Sequence, residues 1–198
     1  MASPPAPAVL LGLHVRVEPL TLDHVPDLAT ATAGDFQVWQ WIASPPADEA
    51  GVRVIVDEAL AERDRGERFP WAVIDLSTGR AVGSSSYLDI APTDDRIEIG
   101  WTFYGRSVWR SAVNSETKLL LLSNAFETLG YERVMFKTHH NNERSQAAIS
   151  RLGAVYEGTF RHHRVHWDGT RRNSVFYSIL SAEWPAVRDK LSAPRSSA

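Results

Sequence analysis

From His14 to Leu20 apolar and polar residues alternate, the two-residue period of a strand with one buried face. Between Asp23 and Ala33 the period lengthens to that of a helix, which Gly34 ends. An aromatic cluster, Phe36, Trp39 and Trp41, precedes the break at Pro45-Pro46. Asp48 then stands where an N-cap belongs, ahead of an apolar stripe formed by Val52, Ile55, Val56, Ala59 and Leu60 and reaching to about Arg65. Three strands are predicted next, Trp71–Ile74, Ala81–Ile90 and Arg96–Tyr104, separated by turns at Ser77-Thr78-Gly79 and Pro92-Thr93-Asp94-Asp95. Leu119, Leu122, Phe126 and Leu129 return to helical spacing, with Gly130 as the stop. A short strand at Val134–Thr138 leads to a helix from Glu143 to Leu152, closed by Gly153. Two last strands, Ala154–Trp167 and Ser174–Leu180, flank the hairpin dipeptide Asp168-Gly169. Ser181 is placed to cap a final short helix with Pro185 in its first turn.

The order is strand, two helices, three meandering strands, helix, strand, helix, two strands. It predicts an α+β domain over residues 13–191, with one mixed sheet of seven strands and four to five helices. The late strand–helix–strand portion requires some parallel pairing. Residues 1–12, which begin Met1-Ala2-Ser3-Pro4-Pro5, carry no basic segment and read as a disordered lead-in rather than a signal peptide. Residues 192–198 read as a disordered tail.

Composition narrows the function classes. The chain has 198 residues, 43% apolar and 23% charged, with seven Trp and seven Phe, the balance of one globular domain. It has no cysteine, so a disulfide scaffold, a thiolate metal site and a cysteine nucleophile are excluded. A formal net charge of −3 argues against direct nucleic-acid binding. No run approaches the ~20 apolar residues that cross a bilayer, so no membrane association and a cytoplasmic location are expected.

The segment Arg96–Glu116 holds the most chemical information. A strand, Ile97-Glu98-Ile99-Gly100-Trp101-Thr102-Phe103-Tyr104, runs through Trp109-Arg110-Ser111-Ala112-Val113-Asn114-Ser115 into a Leu-rich helix. Unpaired N–H groups and the positive end of a helix dipole make such a junction a phosphate site, and Ser111, Ala112 and Ser115 are small enough to admit one. Some thirty residues later, Asn142-Glu143-Arg144-Ser145 opens the next helix, with Asn142 as its N-cap and Ser145 on the same face.

In this order and spacing the two segments resemble the GNAT acetyltransferases. The stretch Asn141–Gly158, the Asp168-Gly169 hairpin and Tyr177-Ser178-Ile179-Leu180 are similar to the branch of ribosomal-protein N-terminal acetyltransferases, the RimJ/RimL type. The resemblance implies a sheet that splays between its fourth and fifth strands, with acetyl-CoA or another acyl-CoA as co-substrate lying in the opening. Trp101, Thr102 and Phe103 would pair with the pantetheine arm. The N–H groups of Arg110, Ser111, Ala112, Val113, Asn114 and Ser115 would hold the pyrophosphate, and Asn142 would position pantetheine or acceptor. Ser145 would act as the acid at the thioester sulfur. The family's phosphate loop has glycine where this chain has Arg110 and Ala112. Relatives also place a glutamate base in the strand that here reads Phe160-Arg161-His162-His163-Arg164-Val165-His166-Trp167, with no carboxylate. Glu98 is then the candidate base, with His162 or a water relay behind it.

An amine acceptor is implied, a ribosomal protein or another protein N-terminus, and a homo-oligomer is compatible with the family. Trp39, Trp41 and His162 are the candidate acceptor contacts, although the two tryptophans fit core packing equally well. His162 and His166 share a strand face but stand ~13 Å apart in an unbroken strand, which argues against a shared metal. Arg161, Arg164, Arg171 and Arg172 form a basic cluster around the last hairpin, either solvated or set for an acidic partner or the CoA ribose phosphate. A non-catalytic module that senses acyl-CoA or grips a partner remains the alternative, because replaced glycines and a missing glutamate are what it predicts.

Overall fold

The computed structural model describes residues 1–193. Strand β1 (Leu10–Leu11) pairs antiparallel with β2 (Val15–Pro19), whose Val15 and Val17 are fully buried as the alternation predicts. Next come α1 (Val25–Thr32), α2 (Phe36–Trp39) and α3 (Glu49–Asp64), then the meander β3 (Arg68–Asp75), β4 (Arg80–Ala91) and β5 (Arg96–Tyr104). Helix α4 (Val113–Ser123) precedes β6 (Arg133–His139), α5 (Glu143–Leu152), β7 (Val155–Val165), β8 (Arg171–Leu180) and α6 (Trp184–Ser192). The sheet runs β1-β2-β3-β4-β5-β6-β8-β7, and among the described residues only β5 and β6 pair in parallel.

Each face of the sheet carries its own core. Helices α1–α3 cover Ala72, Ile74, Ala81 and Phe103 with Leu28, Trp39, Val52 and Val56. Helices α4–α6 cover Ile97, Val134, Phe136, Val175 and Ile179 with Leu121, Leu122, Ile149 and Trp184. Strand alternation therefore sends successive residues to different sides of the molecule, a point on which the site depends.

Local signals explain most boundaries. Asp48 accepts from the Gly51 N–H at 3.0 Å and caps α3, and Asn142 accepts from the Ser145 N–H at 3.1 Å and caps α5. Gly153, at φ 106°, ends α5 in the left-handed region. Three expectations change. The sheet has eight strands rather than seven, because Leu10 and Leu11 pair with Val17 and Arg16 inside the segment read as a disordered lead-in. In that same segment Ala2 is buried, and the Ser3 N–H donates to the Leu129 carbonyl at 2.8 Å. Among the described residues there are six helices, since Asp35 caps one more turn across the aromatic cluster by accepting from the Gln37 N–H at 3.1 Å. Ser181 bonds Glu132 instead of capping α6, which begins at Trp184 with Pro185 in its first turn. Of the predicted tail, Ser192 closes α6, and residues 194–198 lie outside the described residues.

The β1–β2 turn is tied to the first turn of α4 by one carboxylate. Glu116 accepts from the N–H groups of Leu13 at 2.8 Å and of His14 and Val15 at 2.7 Å. Bonds from three donors to a charged acceptor lie at the strong end of their class. Glu116→Ala should cost about 2 kcal/mol. That is a fall in Tm of roughly 4 to 8 °C for a chain this long. A thermal melt that matches the parent would show that the turn is held by β1–β2 pairing alone.

Candidate active site

Pairing between β5 and β6 is confined to Arg96–Arg133, Ile97–Val134 and Glu98–Met135. Beyond these three registers the strands part. Their C-terminal halves line one cleft together with the loop before α4, the start of α5 and residues around Trp41. Its volume, about 2150 Å³, exceeds the few hundred to ~1,000 Å³ of an ordinary single-ligand pocket.

The β5 wall is bulged. Ser84 pairs with Phe103 and Ser86 with Gly100, so β5 carries an extra residue there, and Trp101 takes φ 47°. The side-chain parity reverses across this point. Ile97 and Ile99 enter the core under α4–α6, whereas Phe103 enters the core under α1–α3. Trp101 turns into the cleft, with the Arg68 guanidinium 4.5 Å from its ring centre. Thr102 bonds Ser85 at 2.7 Å and accepts from Lys118 Nζ at 2.7 Å, which fastens the bulge to α4.

The α4 end of the cleft explains the unusual loop. Arg110 has φ 66°, so its position calls for glycine, and the arginine occupies it at a steric cost of about 1 kcal/mol. The first bond of α4 runs from the Glu116 N–H to the Ala112 carbonyl at 2.9 Å. The N–H groups of Asn114 and Ser115 therefore have no acceptor within the helix and sit at its positive end. Arg110 through Ala112, Asn114 and Ser115 all line the cleft, and Val113 instead buries its side chain in the core.

Across the cleft, the Asn142 side chain uses its oxygen as the α5 cap and keeps its amide N–H groups unpartnered among the described residues. Ser145, one turn on, lines the cleft with its hydroxyl similarly unpartnered. Arg144 lies 3.6 Å above the Trp109 ring, closing the side between the two helices.

Glu98 stands at the fork, 3% exposed, with its carboxylate 2.7 Å from Lys137 Nζ on the neighbouring strand. Burial raises its pKa above the ordinary carboxylate range, and the Lys137 ammonium partly opposes that rise. Gly100 leaves room for it, since a Cβ there would lie 2.8 Å from Glu98 Oε1. Trp41 lines the cleft and stacks on His139 at 4.6 Å between ring centres. His139 accepts the Asn141 N–H on Nδ1 at 3.0 Å, and burial lowers its pKa to about 4, so the ring is neutral at pH 7.

Two of the residues read as acceptor contacts lie elsewhere. Trp39 is completely buried, packs on Phe103 at 4.4 Å and donates to the Thr32 carbonyl at 2.9 Å. It is a core residue, on the inner side of the helix whose end presents Trp41. His162 is exposed in a bulge of β7 at φ 49°, in a shallow depression with Phe160 and His163, away from the main cleft. The bulge arises because the register with β8 slips between Phe160 and Arg164. Lys137, His139 and Lys118 line the cleft without having been singled out. Only Lys118 left a signal: it falls three and four residues before the fully buried Leu121 and Leu122, which puts a lysine on the apolar stripe.

A family model described as acetyltransferase (GNAT) domain matches residues 14–155. The chain belongs to the GNAT family of acyl-CoA-dependent N-acetyltransferases. A GCN5-related N-acetyltransferase from Brucella melitensis is similar at 30% identity and a TM-score of 0.91, over 98% of this chain and 89% of that one. YdaF of Bacillus subtilis (strain 168), named as a candidate ribosomal N-acetyltransferase, is 29% identical over 113 residues, 55% of this chain and 58% of its own length. The match thus spans little more than half of that relative. RimJ of Mycobacterium smegmatis, solved in complex with CoA-disulfide, has the same fold at a TM-score of 0.80 and 16% identity, over 93% of each chain.

Two residues of this acetyltransferase sit at a cost to stability, and each makes a test. Burial lowers the pKa of the Lys118 ammonium to about 7, and among the described residues its Nζ reaches only the Ser85 and Thr102 hydroxyls, at 3.0 and 2.7 Å. Between that value and the unfolded value of 10.5 the unfolded chain holds the extra proton, so stability from this group rises with pH. Lys118→Met should therefore raise Tm by several degrees at pH 6, on the order of 1–2 kcal/mol, and by less at pH 9. A Tm gain independent of pH would refute the charge argument. Arg110→Gly should relieve roughly 0.5 to 1 kcal/mol of backbone strain. The same change should weaken acetyl-CoA binding about fivefold by calorimetry, from loss of a cation worth ~1 kcal/mol. Movement of both quantities in one direction would dissociate Arg110 from the phosphate loop.

Proposed function

We propose that this acetyltransferase moves the acetyl group of acetyl-CoA, or a related short acyl group, onto the α-amine of a protein N-terminus by direct attack on the thioester. One observation carries the reading: a bulged strand edge, a helix N-terminus with spare N–H groups and a buried carboxylate meet in a single cleft. No serine lining that cleft is bonded to a histidine among the described residues, and the chain has no cysteine, so an acyl-enzyme has no evident nucleophile.

The residues fit an acyl-CoA. The N–H groups of Asn114 and Ser115 sit where the helix dipole favours a pyrophosphate, and Arg110, which lines the cleft beside them, adds its charge. The unpaired edge of β5 at Trp101–Phe103 offers backbone groups to a pantetheine amide, and the spare Asn142 amide N–H groups stand opposite. The thioester supplies the activated carbonyl. Backbone N–H at the Trp101 bulge stabilises the carbonyl oxygen as it gains charge. As the N–C bond forms and the C–S bond breaks, Glu98 accepts the amine proton, directly or through one water, and Ser145 gives its hydroxyl proton to the departing sulfur. Ser145 then takes a proton back from water as Glu98 releases its own, so the cycle closes with no net proton change. An α-amine titrates near pH ~8, so a carboxylate of raised pKa is an adequate base. Trp41 walls the acceptor side. The name of the Bacillus relative supports a ribosomal-protein acceptor.

Glu98→Gln should lower kcat a hundredfold or more with acetyl-CoA affinity unchanged, the size typical of a lost general base. In the parent, kcat should fall as pH drops through the Glu98 pKa. That limb lies above the usual carboxylate range because burial raises the group, and it should vanish in the variant. Ser145→Ala should lower kcat at least tenfold, again without an affinity change. Steady-state release of CoA with an N-terminal peptide measures all three. Equal turnover of both variants would leave catalysis to positioning alone, and a parent that binds acetyl-CoA but acylates no peptide would end the proposal.

A further inference from the structure

Alternation along β6 and β8 sorts charge to one side of the sheet. Val134 and Phe136 in β6, with Val175, Tyr177 and Ile179 in β8, enter the core under α4–α6. Lys137 and Arg172, offset by one residue, therefore face the other way, towards Glu98. Arg164 stands directly across from Arg172 in the β7–β8 ladder, and both line the cleft. Like charges in opposed positions destabilise a strand pair.

Among the described residues only Glu98 offsets their charge, and it does so from beyond ion-pair distance. Among the described residues neither Arg164 nor Arg172 has a carboxylate within ion-pair distance. Glu98 is bound by Lys137, and the cleft's other carboxylates on this side, Asp89, Glu62 and Glu67, are paired with Arg96, Arg68 and Arg65. Arg172 is half-buried, and its one side-chain bond runs from Nε to the Ser174 hydroxyl at 3.0 Å. Desolvation and the neighbouring Arg164 lower its pKa and the Glu98 carboxylate opposes them only in part, so the pair is held at a cost. The CoA phosphates do not explain it, because the α4 N-terminus and Arg110 belong to the opposite side of the sheet.

We propose that Arg164 and Arg172 receive a carboxylate carried by the acceptor, so that the amine substrate bears an acidic group a few ångströms from its nitrogen. This rests on the transferase reading above and names its acceptor class. Two guanidinium forks match the two oxygens of a carboxylate. Anchored there, the acceptor presents its amine towards Glu98. The same cations disfavour an ammonium, which helps to deliver the neutral amine that attacks. The carboxylate has two sources: the α-carboxylate of a free amino acid, or an Asp or Glu side chain next to a peptide N-terminus.

The test uses matched acceptors with acetyl-CoA: peptides beginning Ala-Asp against Ala-Asn, and free amino acids against their α-amides. CoA release should show a preference of at least tenfold in kcat/KM for the carboxylate member of one pair, and which pair shows it identifies the source. Arg164→Gln, at an exposed position, should lower kcat/KM for that acceptor about tenfold through KM, towards the amide's value. Arg164→Lys should recover part of the loss, and acetyl-CoA affinity by calorimetry should not change in either variant. No preference in the parent, or a loss of acetyl-CoA affinity in Arg164→Gln, overturns the proposal. If no acceptor is acylated, calorimetric titration of the N-acetylated products and their amides into the CoA complex decides it. Carboxylate-selective binding there upholds the anion site while the transferase reading fails, and unselective binding or none refutes both.

Discussion

Three registers of parallel pairing, ending at Glu98–Met135, set the geometry of this molecule. Had β5 and β6 paired along their whole length, their C-terminal halves would have satisfied one another and no cleft would exist. Instead each strand is secured on its far side, β5 by β4 and β6 by β8, and the two cores on opposite faces hold the fork apart. The backbone groups facing the gap are left for a ligand to satisfy. The Trp101 bulge belongs to the same arrangement: it interrupts pairing with β4 for one residue and sends Phe103 to the opposite core.

An opening of this kind brings charge into low dielectric, and the protein does so on both sides. Glu98 is buried against Lys137, Lys118 lies under the bulge with only hydroxyl partners, and Arg172 is half-buried beside Arg164. Each costs stability. They concentrate around the fork and the bulge that line the cleft, as expected where perturbed titration serves chemistry. Arg110 adds backbone strain to the same account, holding a left-handed conformation at the α4 end of the cleft.

The two faces of the sheet divide the work. The α4–α6 side supplies helix N-termini, small residues and the Asn142 cap, which suit an extended phosphorylated arm. The α1–α3 side supplies Trp41, neutral His139, Glu98 and the arginine pair, which suit a compact polar acceptor. Period-two alternation along four strands is enough to separate these sets, because neighbouring residues leave the sheet in opposite directions.

How much of this was legible in the sequence follows from the range of each signal. Patterns within a few residues determined the strands of the meander, the caps at Asp48 and Asn142, the stop at Gly153, and the family, because capping, turn chemistry and periodicity act between neighbours in the chain. They also led to Glu98, the α4 loop and Ser145, all of which line the cleft. What depends on distant segments was decided by tertiary structure. Leu10 and Leu11 became a strand only because β2 offered an edge, and Glu116 gathered three N–H groups from about a hundred residues earlier. Trp39 and Trp41 look alike in the chain, yet Trp39 ends α2 in the core and Trp41, in the turn that follows, lines the cleft. His162 left the site because a register slip in β7 rotated it outward. The pairing of Lys137 with Glu98, and the lack of a carboxylate partner for Arg164 and Arg172 among the described residues, depend on which strands become neighbours, and sheet order is a property of the whole fold rather than of any local stretch of it.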